Sequence, residues 1–186
     1  MNFLKTIVKL SFLFALVFAM TTNLSAQDDK SKRKSPPMEA TGMIGDVEVN
    51  INYGAPSVRE RTIFGELESW DKVWRTGANE STTFEVSKNV LIEGQELAAG
   101  KYSLFTIPSK EDKWTVIFNS VPDQWGAFNY DKNKDVLRVE VMAKTLDELV
   151  ETMTFKVKEK EDGKGWAGFS WEKTKVGFSI APVASN

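Results

Sequence analysis

The residues best equipped for chemistry lie in two short stretches, Trp74-Arg75-Thr76-Gly77-Ala78-Asn79-Glu80 and Gln124-Trp125-Gly126. On an extended backbone Trp74 and Arg75 point to opposite sides, so the indole can enter a core while the guanidinium faces elsewhere. Gly77 permits a turn or bulge after them, which presents Asn79 and Glu80 side by side. Arginine offers a fork of donors, asparagine a donor and an acceptor, and glutamate a pair of acceptor oxygens. That set suits a polar ligand with hydroxyls or a carboxylate. It suits equally well a structural ion pair of Arg75 with Glu80 or another carboxylate, of the kind that fixes loops. In the second stretch an indole stands beside an amide, a pairing that can stack on a sugar ring and bond its hydroxyls in a concave site. The competing role is a tryptophan that caps the open end of the fold. Arg59 lies in the same irregular segment as Arg75, and Tyr130 and Arg138 follow Trp125 closely. The candidate ligand-binding set is therefore Arg75, Asn79, Glu80, Gln124, Trp125, Arg59, Tyr130 and Arg138.

Missing residue types narrow the chemistry further. The chain has no histidine and no cysteine. Ser-His-Asp triads, Cys-His pairs and imidazole metal ligands are thereby excluded, as are thiolate zinc sites, iron–sulfur clusters and disulfides. Carboxylate, hydroxyl, lysine, arginine and amide chemistry remain. A glycosidase would need two carboxylates about 5 to 10 Å apart, one with a raised pKa, and Glu80 with Glu66, Glu68 or Asp71 is the grouping to propose. With 26 acidic residues in the chain, accidental pairs are abundant, so the residues favour a binding module over an enzyme and no catalytic residue is assigned. No metal site and no cofactor are implied. Asp131-Lys132-Asn133-Lys134-Asp135 begins like a calcium loop, but Val136 and Met142 occupy the positions where Gly and Glu are required; a solvated turn fits better. Gly163-Lys164-Gly165-Trp166-Ala167-Gly168 spells a dinucleotide motif with no helix to follow it, so it reads as a hairpin turn.

The elements that must position these residues are strands. Val47, Val49, Ile51 and Tyr53 alternate with Glu48, Asn50 and Asn52, and the same period of two recurs at 114–119, 137–141 and 153–158. Trp114, Val116 and Phe118 alternate with Thr115, Ile117 and Asn119, which marks a central strand that is apolar on both faces. Phe169 and Trp171, then Val176, Phe178 and Ile180, form the last inward sets. Turn signals at Glu93-Gly94, Ala99-Gly100, Asp162-Gly163 and Lys164-Gly165 separate the runs. About ten to twelve short strands predict an all-β, antiparallel β-sandwich, of which the jelly roll is one form, with a closed barrel as the alternative. Leu146 to Val150 and Glu66 to Trp70 are the two places with room for a helical turn. Gly54 to Ser81 breaks the strand rhythm, and its aromatics together with Ile63, Phe64 and Leu67 predict a long loop packed down on the domain.

The chain begins like an exported protein. Lys5 and Lys9 precede an apolar run from Leu10 to Met20, and Leu24-Ser25-Ala26 offers small residues for cleavage. The expected organisation is a signal peptide at 1–26, a disordered leader at 27–37, one β-sandwich domain at 38–183, and a tail at 184–186. After cleavage no membrane span is expected, and without cysteine a lipoprotein anchor is excluded. The expected location is the periplasm or the exterior. Loss of Lys5 and Lys9 takes the net charge from −2 to −4, which argues against nucleic acid as a partner.

Four blocks in order, VWRTGANESTTF (73–84), LAAGKYSLFTIP (97–108), WTVIFN (114–119) and QWGAFNYDKNKDVLRVEV (124–141), resemble domain-of-unknown-function family 2911. The likeness runs from about Met38 to Ala181. It implies an exported β-rich domain of the kind found mostly in Bacteroidota, and it brings no activity, ligand or catalytic residue with it. The reading is an exported binding or interaction module, whose favoured partner is a small polar molecule or a glycan. Its rivals are a histidine-free, carboxylate-dependent hydrolase of glycosidase type and a structural domain of the envelope.

Overall fold

Alternation of apolar and polar residues is realised directly in the strands: Val47, Val49, Ile51 and Tyr53 are buried while Glu48 and Asn52 are exposed. The computed structural model describes residues 29–160 and 162–183. The expected signal peptide at 1–26 and the expected tail at 184–186 lie outside the described residues. Ser31–Asn186 forms one compact unit. No helix among the described residues is long and apolar enough to cross a membrane.

Ten strands are described: β1 (Pro37–Ile44), β2 (Val47–Gly54), β3 (Thr82–Val86), β4 (Val90–Ile92), β5 (Gln95–Leu97), β6 (Gly100–Ile107), β7 (Lys113–Asn119), β8 (Asp135–Met142), β9 (Lys144–Glu159) and β10 (Gly165–Pro182). They form a six-stranded sheet in the order β1-β2-β3-β6-β7-β8 and a four-stranded sheet in the order β5-β4-β10-β9. All pairings are antiparallel. The fold is thus the expected antiparallel sandwich, and neither sheet closes into a barrel. The chain changes sheet between β3 and β4, between β5 and β6 and between β8 and β9, and the β4–β5 hairpin lies wholly in the second sheet. The β4–β5 turn places Glu93 at φ 47° and Gly94 at φ 79°, the pair of left-handed residues that suits the twist of a two-residue hairpin.

The core lies between the sheets and is aromatic. Phe84, Phe118 and Phe178 meet edge-on at one level, with centroids 5.1 to 5.6 Å apart. At another level Trp74 stacks on Trp171 at 5.8 Å, while Phe64 inserts edge-on against Trp114 at 4.8 Å. Such pairs contribute about 0.5–1.5 kcal/mol each beyond the area they bury. Trp114 and Trp171 take the core role that strand alternation assigns them.

Leu146 to Val150 has no helical turn. It is the first half of the long β9, paired with β10 through Glu172↔Val150 and Thr174↔Thr145. Helix propensity there is overridden because β10 pairs with the stretch on both sides of a bulge, whereas a five-residue helix would leave most of its backbone groups unbonded.

Candidate functional site

The long loop between β2 and β3 is held in place by its own apolar residues. Ile63 is fully buried, and Phe64 and Trp74 are 7% and 3% exposed. Backbone bonds tie the loop along its length: Asp71 N donates to Pro108 O at 2.8 Å, and Trp74 and Thr106 exchange two bonds of 2.8 and 2.9 Å. Of eight non-glycine residues with positive φ among the described residues, five (Arg59, Glu60, Asp71, Thr76 and Asn79) lie in this one loop. Each left-handed residue costs about 1–2 kcal/mol, with asparagine the mildest case. That conformation is imposed by the packing beneath it, and such strain gathers where a site is built.

As strand geometry requires, Trp74 goes into the core and Arg75 does not. The loop then meets the 120–134 segment. Glu80 and Trp125 form an antiparallel bridge, in which Ser81 N donates to Gln124 O at 2.9 Å and Gly126 N to Asn79 O at 3.0 Å. Five of the candidate residues (Arg75, Asn79, Glu80, Gln124 and Trp125) are thereby brought together. Gly126, at φ 66°, lets the chain approach closely: a Cβ there would lie 3.6 Å from Arg75 Nη1 and 3.1 Å from the Phe128 ring. Trp125 and Phe128 are 54% and 82% exposed, so two aromatic rings stand at the surface beside a guanidinium.

Arg75 and Glu80 do not form the structural pair weighed from sequence. Glu80 accepts from Arg33 Nη1 at 3.1 and 3.0 Å, and the Arg33 guanidinium lies over the Trp125 ring, 5.8 Å from its centroid. Arg33 belongs to the polar leader, whose last residues dock on the loop: Asn79 Nδ2 donates to Ser35 O at 2.9 Å, and Ala55 N to Pro36 O at 2.9 Å. Arg59 takes part in the same docking, its Nη2 donating to Lys34 O at 3.0 Å. It sits with the leader and not with Trp125.

The carboxylate facing Arg75 is Glu68. Burial pushes its carboxyl up to about 7, against the opposing pull of Arg75, the Trp74 indole N–H and Arg61. Loop bonds fix it there, with Glu68 N donating to Ile63 O at 2.9 Å and Gly65 N to Glu68 O at 2.7 Å. Sequence ranks Glu68 no higher than Glu66 or Asp71, because nothing in the spacing tells which acid of a loop turns inward. Arg75 makes no side-chain hydrogen bond with the described residues, and its Nε is buried. Gln124 uses its amide nitrogen on Val121 O at 2.8 Å and Asn119 Oδ1 at 3.3 Å, while its Oε1 is buried without a protein donor. Donor and acceptor capacity is thus left over on two neighbouring candidates.

Tyr130 and Arg138 form a separate network around Asp135. Tyr130 OH donates to Asp135 Oδ2 at 2.6 Å, Arg138 Nε donates to the same oxygen at 2.8 Å, and Arg138 Nη2 donates to Tyr130 OH at 2.8 Å. Asn119 Nδ2 donates to Asp135 Oδ1 at 2.8 Å and reaches the 120–134 segment at Asp131 O, 3.0 Å away. Burial raises the Tyr130 phenol, and the Asp135 carboxylate adds to it. Burial works against the Arg138 charge, but bonds to Asp135 and Tyr130 hold its guanidinium above its ordinary value. These two residues have their hydrogen bonds inside the protein and serve to anchor the segment that carries Trp125. Asp131 is likewise engaged, capping the 3-10 turn Lys132–Lys134 through Asn133 N at 2.9 Å.

The site can therefore supply the Nη groups of a cationic fork and exposed aromatic faces. No curated protein and no solved structure matches the chain. Residues 35–180 match the model of a family described as a protein of unknown function, DUF2911, and the chain belongs to that family.

Proposed function

We propose that the protein is an exported binding module that holds a small polar molecule or a glycan at Arg75, Gln124 and Trp125. The observation that carries this reading is the state of Arg75. A half-buried guanidinium with no side-chain hydrogen bond to the described residues retains its donors, and it lies beside two exposed aromatic rings. An oxygen-rich ligand can take the Nη donors of Arg75 while a ring of it lies on Trp125; Arg75 Nε and Gln124 Oε1 are buried beneath them. Export is supported by the order of charged, apolar and small residues at the N-terminus.

The test is calorimetric titration of the mature chain with a panel of neutral and acidic sugars and amino acids. Hydrogen bonds to a charged group contribute about 1.5–3 kcal/mol, so Arg75→Met should weaken binding at least tenfold, and Trp125→Ala should weaken it with little loss of stability. A panel ligand that binds both variants as tightly as the wild type refutes this site. A carboxyl raised to about 7 is also what a general acid requires, so a carboxylate-dependent glycosidase is the second reading. Hydrolysis of a panel glycoside that is lost in Glu68→Gln would favour it over simple binding.

A further inference from the structure

The β9–β10 hairpin carries a second concavity that has no lining residue in common with the Arg75 site. It encloses about 440 Å3 and is bordered by Met142, Lys144, Lys158, Lys160, Trp166 and Lys175. Alternation along β10 places it on the face turned away from the core, since Ala167 and Phe169 are buried inward and Trp166 is half-buried. Two glycines shape it. A Cβ on Gly168 would lie 2.2 Å from the Val176 carbonyl oxygen, and one on Gly177 would lie 2.2 Å from the Trp166 indole. The two halves of β10 therefore close on each other across its bulges, and the Trp166 indole packs against Gly177.

The charges in this concavity are unbalanced. Lys144 and Lys175 are direct cross-strand partners, and like charges placed opposite each other cost stability. Lys158 is the cross-strand partner of Trp166, and Lys160 shares its face two residues on. Among the described residues none of these four ammonium groups belongs to an ion pair. Lys175 lies instead over the Trp166 ring, 4.6 Å from its centroid. The one acid on the rim, Glu159, accepts from Gly45 N through Oε1 at 2.8 Å. A fold that retains opposed lysines around an aromatic floor has a use for the anion that would relieve them.

We propose that this concavity binds an anionic saccharide, a sugar ring bearing carboxylate or sulfate groups. The oxyanions bridge Lys144 and Lys175 and reach Lys158, while the ring lies against Met142 and the edge of the Trp166 indole. The volume falls within the range of small-ligand sites, about 300–1,000 Å3, and the mixture of indole, thioether and ammonium suits a ring with an apolar face and charged substituents. A long polyanion would meet a chain that is acidic overall.

Calorimetry with trigalacturonic acid, sucrose octasulfate and neutral maltotriose tests the proposal. At least one acidic sugar is expected to bind at least tenfold more tightly than maltotriose, and its affinity should fall as salt is raised. Success with the first alone assigns a uronate, with the second alone a sulfated sugar. The double variant Lys144→Ala/Lys175→Ala should lose at least tenfold in affinity, while Lys175→Arg should retain it, and Lys101→Ala on the other sheet should change nothing. The double variant is not expected to unfold, because it removes a repulsion; its urea midpoint should equal or exceed that of the wild type. Arg75→Met should leave this binding intact, which separates it from the function proposed above. Failure of both acidic sugars, equal binding of maltotriose, unaltered binding by the double variant, or tighter binding of single-stranded DNA that Lys101→Ala weakens equally would overturn it.

Discussion

Replacing Glu68 with glutamine probes the candidate site through stability, whatever its ligand. In the folded protein burial raises this carboxyl from 4.5 to about 7, so between those values the native state holds a proton that the unfolded chain releases. Stability therefore falls as pH rises through this window. The favourable contribution of the neutral acid is complete below about pH 4.5 and is gone above about pH 7. At 1.36 kcal/mol for each pH unit the full difference is about 3 kcal/mol. Partial exposure of the side chain to solvent reduces this, and about 2 kcal/mol is the expected size. Glutamine keeps the shape and carries no charge at any pH. Urea unfolding should find Glu68→Gln about 2 kcal/mol more stable than the wild type near pH 8 and equal to it near pH 4. A difference that stays constant across this range would refute the reasoning. So would a variant less stable than the wild type at pH 8, since it would mean that Arg75 and Arg61 stabilise the ionised carboxylate by more than its burial costs.

Three further substitutions test the frame. Gly168→Ala drives a Cβ against backbone at Val176 and Gly177, and a backbone clash cannot be relieved by rotating a side chain; the expected loss is about 3 kcal/mol in urea unfolding. Gly94→Ala, with φ 79° and open space around it, should cost only about 1 kcal/mol, and equal losses at the two positions would contradict this account. Asp135→Asn takes the charge from a carboxylate that is 6% exposed and bonded to Arg138, Tyr130 and Asn119. A loss of about 2 kcal/mol is expected, and ultraviolet titration should find the Tyr130 phenol ionising at lower pH, because Asp135 helps to raise it. An unchanged phenol titration would show that the network does not act on Tyr130.

The sandwich was legible because strand burial has a period of two and the turns carry their own chemistry. Val47 to Tyr53 and Leu137 to Val141 alternate cleanly, so each declares its inner face. Leu146 to Val150 was not legible, because half-exposed residues on a long hairpin carry no consistent period. The site was legible in part for a related reason. Trp74 and Arg75 diverge by strand geometry alone, and the two stretches around Glu80 and Trp125 are both motif-like, but the bridge that joins them is a tertiary pairing. The partners of these residues lie far away in the chain. Glu80 meets Arg33 from 47 residues upstream, and Tyr130 and Arg138 spend their donors on Asp135. Composition tells which groups are capable of recognition, while only packing tells which of them keep that capacity. Arg75 keeps it because its side chain makes no hydrogen bond with the described residues, even though Glu68 lies close enough for the guanidinium to pull on its carboxyl.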